Sequence, residues 1–275
     1  RHRLTPSTAV SAVVRLDAEL AEHAVGTDRL RAADARRLRT LTAAVRPTRN
    51  IERVIAATQE RMMISHAVDA YRAAKDSEGV MDFADLMRFA DTITRTSPEV
   101  VSIYRDSYAA VLLDEYQDTS VVQRDILQRL FGDGHPVLAV GDPKQSIYSF
   151  RGAAAGNITR FPEHFPARSA APAQVHALSA NYRSGDRILA SANELAAAAG
   201  ISESVQLVAG SERSAGTVEA LLFDTRPDEE ERLVAEVGLE LAAGRAPEEI
   251  LVLASRNADV RRLASALTAA GIPVS

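Results

Sequence analysis

Apolar side chains recur at helical spacing through the first quarter of the chain. The first such positions are Val10, Val13, Val14, Leu16 and Leu20. This spacing gathers apolar side chains on one face of a helix and predicts an all-helical region from Leu4 to about Lys75. The basic run RRLR (36–39) is interpreted as a solvated helix face, with contact to DNA phosphates as the alternative.

A break follows at KDSEGV (75–80), where acidic residues precede a glycine. The next segment, MDFADLMRFADTI (81–93), has the period of an amphipathic helix. Its apolar stripe consists of Phe83, Leu86, Met87 and Phe89. We expect this stripe to lie in a helix core rather than to contact DNA.

From residue 109 onwards, short apolar runs alternate with helical patterns, which is typical of a mainly parallel sheet. The predicted strands are AAVLLD (109–114), PVLAVGD (136–142), AQVHALS (173–179), TVEALLFD (217–224) and EEILVLASR (248–256). Three helices with clear start and stop signals separate them. They are a helix after Thr119 and Ser120 that stops at Gly132, one from Pro227 to Gly244, and one from Asn257 to Gly271. A proline-rich stretch (161–174) is the candidate hinge between two α/β units.

Composition narrows the class of protein. The chain has 275 residues, of which 46% are hydrophobic and 25% charged, and this is enough for one large or two ordinary cores. The absence of cysteine excludes disulfides, thiolate zinc sites and a cysteine nucleophile, and it fits a reducing cytoplasm. No apolar run has the length of a membrane helix, and isolated histidines show no metal-ligand spacing. A net charge of -5 argues against a wholly basic nucleic-acid binder but is compatible with a local basic groove.

Polar clusters follow three of the predicted strands. Asp114 and Glu115 end the first, residues 140–153 (VGDPKQSIYSFRGA) follow the second, and Asn181, Tyr182 and Arg183 follow the third. Open α/β sheets bind ligands at the carboxyl edge of their strands, so these clusters predict a site at one sheet edge. An Asp-Glu pair there suits a Mg²⁺ ligand beside a base that deprotonates water; solvent-facing or helix-capping carboxylates are the alternative.

Three motifs carry a family resemblance. DEYQDTS (114–120), GDPKQSIYSFRGA (141–153) and NYRS (181–184), in that order, resemble motifs II, III and IV of the UvrD/Rep/PcrA group of superfamily 1 DNA helicases. MDFADLM (81–87) is similar to the segment that precedes motif II in that group. The run from Ser149 to Phe165 looks closest to the actinobacterial UvrD-like branch, which includes the AdnAB helicase-nucleases.

The resemblance implies a role for each motif residue. Asp114 would be the Mg²⁺ carboxylate, Glu115 the general base and Gln145 the sensor of the ATP γ-phosphate. Tyr182 would stack on adenine, and Arg183 would reach the γ-phosphate as an arginine finger. For Arg183 a salt-bridged surface position is the alternative.

The same resemblance places DNA contacts in the second motif. Tyr148, Phe150 and Arg151 fall where the family contacts DNA, with Phe150 in a place often taken by a base-stacking tryptophan. Burial of both aromatic rings in the core is the alternative. We expect Asp118 and Asp142 to cap helices or to bind the backbone of neighbouring motifs.

The implied fold is α/β, with the RecA-like parallel sheets of P-loop NTPases and an N-terminal all-helical insertion. The implied domains are a 1B-like helical region (1–76), the later part of a 1A-like first motor domain (77–172) and the first part of a 2A-like second motor domain (173–275). The phosphate-binding pattern GxxxxGK[ST] is missing, since the only lysines, Lys75 and Lys144, are followed by Asp76 and Gln145. We therefore expect an internal segment of a longer enzyme that is inactive alone.

For that longer enzyme the resemblance implies an ATP- and Mg²⁺-dependent 3′-5′ helicase on single-stranded and duplex DNA, in repair or recombination. It would be bacterial, cytoplasmic and nucleoid-associated, without membrane contact, and its possible partners would be a nuclease or a second motor protein. Two alternatives stay open. One is a catalytically dead, DNA-binding subunit of a helicase-nuclease complex, and the other is an interaction domain with accidental motif matches.

Overall fold

The computed structural model describes residues 5–43, 48–200, 205–210 and 215–274. Within this part the fold is mixed α/β and mostly helical, with small parallel sheets. The chain divides into two compact units. The first unit comprises Arg1–Ser179 and Ala196–Gln206, and the second comprises Ala180–Leu195 and Leu207–Ser275. The predicted boundaries after residues 76 and 172 stay predictions.

Helices make up the first hundred residues of the first unit. They are α1 (Pro6–Glu22), α2 (Thr27–Thr42), α3 (Arg49–Glu78), α4 (Phe83–Thr96) and α5 (Pro98–Ser107). The all-helical prediction is thus confirmed for the described residues, and Leu4 lies outside them. The basic run 36–39 is largely exposed on α2, as expected of a solvated face.

The predicted break between α3 and α4 is confirmed, and local chemistry explains it. Gly79 ends α3 in the left-handed conformation (φ 65°), which glycine enters without a steric penalty. Asp82 then starts α4 with a reciprocal cap: Asp85 N donates to Asp82 Oδ1 at 3.0 Å, and Asp82 N donates to Asp85 Oδ2 at 2.9 Å.

The expected core stripe of α4 is wrong. Phe83 is 87% exposed, and Leu86 and Phe89 are also exposed, while Asp85 and Asp91 are buried. Asp85 and Asp91 form ion pairs with side chains of α3 and of the later helix α6. The charged face therefore points inward, because its carboxylates have buried partners and would lose them if the helix rotated.

Two parallel strands and the helices around them form the rest of the first unit. Strand β1 (Val111–Leu113) pairs with β2 (Val137–Ala139), with Leu112 opposite Leu138. Helix α6 (Val121–Phe131) connects them, and α7 (Gly156–Thr159) and α8 (Phe161–His164) follow. The core of this region contains Tyr116, Leu130, Phe131, Phe161 and Phe165. The proline-rich stretch thus begins inside a hydrophobic core.

The second unit has its own small sheet. Strand β3 (Ala180–Asn181) pairs in parallel with β4 (Val208–Ala209). Helices α9 (Asp186–Ala198), α10 (Arg226–Ala242) and α11 (Asn257–Ala269) follow the capping signals in the sequence, and the predicted helices are confirmed to within a few residues.

Three predicted strands are wrong. Residues 173–179, 217–224 and 248–256 form no strand, and their apolar positions are exposed, for example Val175, Leu222 and Leu253. A strand is stable only when a neighbour satisfies its backbone hydrogen bonds, and no such neighbour occurs among the described residues. The predicted single parallel sheet is accordingly replaced by two separate pairs of strands.

Candidate functional site

The site of the first unit lies where β1 and β2 end together. Because the strands are parallel and in register, their carboxyl ends share one edge. The pairing extends past both strands, since Val140 N donates to Leu113 O at 2.8 Å and Tyr116 N donates to Val140 O at 3.0 Å. This brings the Asp114–Glu115 turn beside the loop that begins at Gly141.

Asp114 and Glu115 both point to solvent at this edge. Glu115 has a left-handed backbone conformation (φ 49°, ψ 39°), and its N–H donates to Asp114 Oδ1 at 2.9 Å. The second oxygen of Asp114 is left for a ligand. Exposed carboxylate oxygens suit Mg²⁺, which is usually held by one or two carboxylates and by substrate phosphates. Asp114 therefore fits the predicted metal ligand.

Gln117 is buried directly behind the acidic turn, with 1% of its surface exposed. Its Nε2 donates to Glu115 Oε2 at 2.7 Å, and its Oε1 accepts from Asp142 N at 3.0 Å. Its backbone oxygen accepts from Ser146 Oγ at 3.2 Å. One residue thus contacts both strand-end loops.

The loop after β2 is shaped by Asp142. Its Oδ1 accepts from Lys144 N at 2.9 Å and its Oδ2 accepts from Gln145 Nε2 at 3.0 Å. The expectation that Asp142 caps a helical turn is confirmed. Gln145 is exposed beside this cap, on the same edge as Asp114 and Glu115.

Asn157 ties the end of the second motif back to the first. Its side chain is 2% exposed, and its Nδ2 donates to Thr119 O at 3.0 Å and to Ser120 O at 3.1 Å. Ser120 and Ala153 form an antiparallel bridge at the same place. The two motifs therefore form one hydrogen-bonded body.

Two titratable groups support this body from the core. Burial raises the pKa of Tyr116 to about 12, so its hydroxyl is neutral at all ordinary pH values. Burial also lowers the pKa of His164, and the cations of Arg124 and Arg160 lower it further. Neither Tyr116 Oη nor His164 Nδ1 has a hydrogen-bond partner within the described residues. Both groups are structural and face away from solvent.

Tyr148, Phe150 and Arg151 form an exposed cluster after β2, which we call the aromatic cluster. Phe150 is 73% exposed, and Tyr148 is 39% exposed. Their ring centroids lie 6.0 Å apart, and the Arg151 guanidinium lies 5.6 Å and 5.7 Å from them. Burial of these rings in the core, the alternative reading of the sequence, is therefore wrong.

The third motif lies in the second unit, on its own sheet. Asn181 Oδ1 accepts from Arg183 N at 2.9 Å and from Ser184 N at 2.8 Å, which fixes the turn after β3. Tyr182 is 63% exposed and packs on Gly210, where an added Cβ would lie 2.6 Å from the ring. The prediction that three strand ends share one sheet edge is thus wrong. Two belong to one sheet and the third to another.

A buried ion network lies between α1, α3 and α4. Asp17, Asp82 and Asp85 are the sole group in the described ranges with the spacing of metal ligands. The Lys75 ammonium already occupies their centre, at 3.1 Å from Asp17, 2.7 Å from Asp82 and 2.7 Å from Asp85. We interpret the group as a salt-bridge network rather than a metal site.

Sequence reasoning assigned no role to Gln117 or Asn157, although both are central to the site. A buried amide carries no signal in a hydrophobic pattern, and the partners of these two are distant in sequence. Only the motif context marks Gln117, and no pattern marks Asn157. In a separate respect, no helix in the described part of the chain combines the length and apolar character needed to cross a membrane.

Comparison with known proteins identifies relatives of this chain. Residues 14–166 match the family described as UvrD/REP helicase N-terminal domain. The chain is 40% identical over 126 residues to DNA helicase II of Escherichia coli, which covers 46% of this chain and 17% of that protein. It is 31% identical over 206 residues to ATP-dependent DNA helicase UvrD2 of Mycobacterium tuberculosis, which covers 74% of this chain and 29% of that protein.

A third relative is an ATP-dependent helicase/nuclease subunit of Streptococcus pneumoniae, 37% identical over 134 residues, 48% of this chain and 11% of that protein. The chain thus spans less than a third of the length of these relatives. A match over more than half of the chain overturns the alternative of accidental motif similarity. The chain belongs to the UvrD/REP helicase N-terminal domain family, and it is a UvrD-type superfamily 1 helicase segment.

Proposed function

We propose that this chain is a segment of an ATP-dependent DNA helicase, here called the parent protein. The observation that carries the proposal is the shared edge of β1 and β2, where Asp114, Glu115 and Gln145 lie together. Nucleotide hydrolysis by such a motor needs a metal ligand, a base for the attacking water and a group that senses the γ-phosphate. These three side chains supply one of each.

Asp114 would hold Mg²⁺ through the oxygen that Glu115 N leaves open. Bound Mg²⁺ would neutralise charge on the ATP phosphates. Glu115 would orient the attacking water and take its proton, with Oε2 held by Gln117 and the other oxygen available. The sequence provides no glycine-rich phosphate cradle, so the isolated chain is expected not to hydrolyse ATP.

Gln145 is proposed to sense the γ-phosphate. Its side chain is exposed, and its amide is held by Asp142 on the loop that continues into the aromatic cluster. A change at the phosphate would therefore be passed along a short, hydrogen-bonded segment towards Tyr148 and Phe150. This arrangement suits a motor in which hydrolysis and movement on DNA are coupled.

The aromatic cluster is the proposed contact for single-stranded DNA. Exposed aromatic rings stack on bases without reading their identity, and a nearby guanidinium adds attraction for phosphate and for the base face. Tyr148 and Phe150 provide the rings and Arg151 the cation. This local chemistry is compatible with the net charge of -5, because the contact depends on the cluster and not on the average.

The second unit would contribute Tyr182 and Arg183. An exposed tyrosine ring beside Gly210 offers a flat face for adenine. Arg183 follows a turn fixed by Asn181 and would stabilise charge on the γ-phosphate in the transition state. Domain closure would bring this arginine to the nucleotide.

Further parts of the proposal rest on family membership. The parent protein would move 3′ to 5′ on single-stranded DNA and unwind duplex in repair or recombination. It would act in the bacterial cytoplasm at the nucleoid, alone or beside a nuclease or a second motor protein. The second candidate is a catalytically dead, DNA-binding subunit, which is favoured by the missing GxxxxGK[ST] pattern if the parent protein also lacks it.

The test is the substitution Glu115→Gln in the parent protein. Loss of the base should lower the DNA-stimulated kcat for ATP hydrolysis by about 10²–10⁴-fold and leave the Kd for ATP nearly unchanged. Glu99→Gln, an exposed change of the same kind on α5, is the matched control and should keep full turnover. Normal turnover in Glu115→Gln would exclude the base assignment, and an inactive wild type would favour the dead subunit.

A further inference from the structure

Gln117 lies in the middle of a continuous chain of hydrogen bonds. Gln117 Nε2 donates to Glu115 Oε2 (2.7 Å), Asp142 N donates to Gln117 Oε1 (3.0 Å), and Gln145 Nε2 donates to Asp142 Oδ2 (3.0 Å). The chain therefore runs from the proposed base to the proposed γ-phosphate sensor. Gln117 itself is buried and touches neither solvent nor ligand.

The partners fix the orientation of the Gln117 amide. A backbone N–H can only donate, so the Asp142 N–H must face Oε1, and this leaves Nε2 to face the Glu115 carboxylate. Each end of the amide thus meets its complementary group. A carboxylate at this position would keep the acceptor but lose the donor, and an aliphatic side chain would lose both.

The backbone around the amide leaves it no other position. A Cβ added to Gly141 would lie 2.4 Å from Gln117 Oε1, so the loop after β2 approaches the amide as closely as a glycine allows. On the other side, Glu115 is in a left-handed conformation that turns its carboxylate back towards Gln117 Nε2. The contact is built by both loops together.

We propose that Gln117 is a positioning residue that aims the Glu115 carboxylate and couples it to the Gln145 loop. The inference rests on the proposed function, because it assigns Glu115 as base and Gln145 as sensor. In this arrangement a shift of the loop after β2 moves Asp142 N, and the amide passes the shift to the base. Hydrolysis would thereby depend on the position of the sensor loop.

The decisive variant is Gln117→Glu in the parent protein. At pH 8 the introduced carboxylate cannot donate to Glu115 and repels it, so we expect kcat to fall about 10–100-fold while the Kd for ATP changes little. At pH 6 a proton shared between the two carboxyl groups restores a donor. The ratio of variant to wild-type kcat should therefore rise about tenfold between pH 8 and pH 6.

Gln123→Glu is the matched control. Gln123 accepts from Ser120 N in a capping box, a position where glutamate serves equally well, so the same charge change there should leave turnover unaltered at both pH values. A ratio for Gln117→Glu that stays constant with pH, or that falls together with ATP affinity, would overturn the inference. A wild-type parent protein without ATPase activity would instead refute the proposed function.

A second measurement tests the contact without turnover. In the 275-residue chain, NMR should show side-chain amide protons of Gln117 that exchange slowly and shift when Glu115→Gln removes the carboxylate charge. Gln59, which is exposed on α3, serves as the fast-exchanging reference. Exchange of the Gln117 amide as fast as that of Gln59 would show that the hydrogen bond is absent, and the inference would fail.

Discussion

The backbone of Glu115 adopts the left-handed conformation, which costs a residue with a Cβ atom about 1–2 kcal/mol. The surrounding bonds hold it there. Asp118 N donates to Glu115 O at 2.9 Å, and the next residue, Tyr116, is fully buried and bonded to Val140. The fold therefore stabilises a locally strained residue at the point where the proposed chemistry takes place.

This strain can be measured in the chain itself. Glu115→Gly should be more stable to urea than Glu115→Ala by about 1 kcal/mol, since glycine enters the left-handed region without the Cβ clash. At Glu60, exposed on α3, the same pair of substitutions should show the opposite order, because glycine is unfavourable in a helix. Equal order at both positions would mean that residue 115 is not strained.

Motif patterns predict the exposed site residues well and the buried ones poorly. Asp114, Glu115 and Gln145 stand at strand ends, where sequence and spacing reveal them. Gln117 and Asn157 act through partners that lie 25 and 38 residues away. A hydrogen-bond partner at that distance depends on the tertiary fold, so no local pattern identifies it.

Among the helices, the ion network around Lys75 determines how α4 packs. Three carboxylates (Asp17, Asp82, Asp85) meet three cations (Lys75, Arg72, Arg88) between α1, α3 and α4. A buried charge is tolerated only when it is paired, so these groups orient the charged face of α4 inward. The apolar stripe of the same helix is left outside, contrary to the sequence-based expectation.

Lys75→Met should therefore destabilise the chain strongly. Removing the ammonium leaves buried carboxylates without a central cation, and we expect the free energy of unfolding to fall by about 3–5 kcal/mol. Lys144→Met removes the only other lysine, which lies on the surface loop, and should change stability by less than about 0.5 kcal/mol. Urea unfolding followed by circular dichroism measures both. Similar losses in the two variants would contradict the role of the network.

Helices were easier to predict than strands for a physical reason. A helix satisfies its own backbone, and its capping residues are local, as with Ser120 at the start of α6. A strand requires a neighbour. The segments 173–179, 217–224 and 248–256 have strand-like composition without a paired neighbour in the described ranges. Their composition alone therefore overestimated the sheet.

At the scale of the whole chain, the predicted mixed α/β class and family are confirmed, whereas the RecA-like sheet stays a prediction. Each of the two compact units has its own parallel pair of strands with polar residues at its end. The motifs identified the family because they place charged and aromatic groups at these ends. The number of strands could not be derived in the same way, since it depends on contacts over the entire fold.

Stability of the chain should depend on pH through His164. Its pKa is lowered in the folded state by burial and by Arg124 and Arg160, with Asp125 and Glu163 acting in the opposite sense. As the pH falls below about 6.5, the unfolded chain binds a proton that the folded chain resists. The free energy of unfolding should therefore fall between pH 7 and pH 5.5, by at most about 1.4 kcal/mol per pH unit.

Urea unfolding of wild type and His164→Leu at the two pH values provides the test. The variant should lose part of this pH dependence. His176→Leu removes an exposed histidine and should retain the full wild-type dependence. If His164→Leu and wild type respond equally to pH, His164 does not contribute in the folded state as the burial implies.

The close approach of Gly141 to Gln117 bears on how this sequence can evolve. Gly141 does not have a left-handed backbone, so the turn itself does not demand glycine. The demand comes from a neighbour 24 positions earlier whose amide occupies the space of a Cβ. Residues 117 and 141 are therefore expected to change together or not at all. A lineage that replaces the glutamine with a smaller residue would become free to place a side chain at position 141.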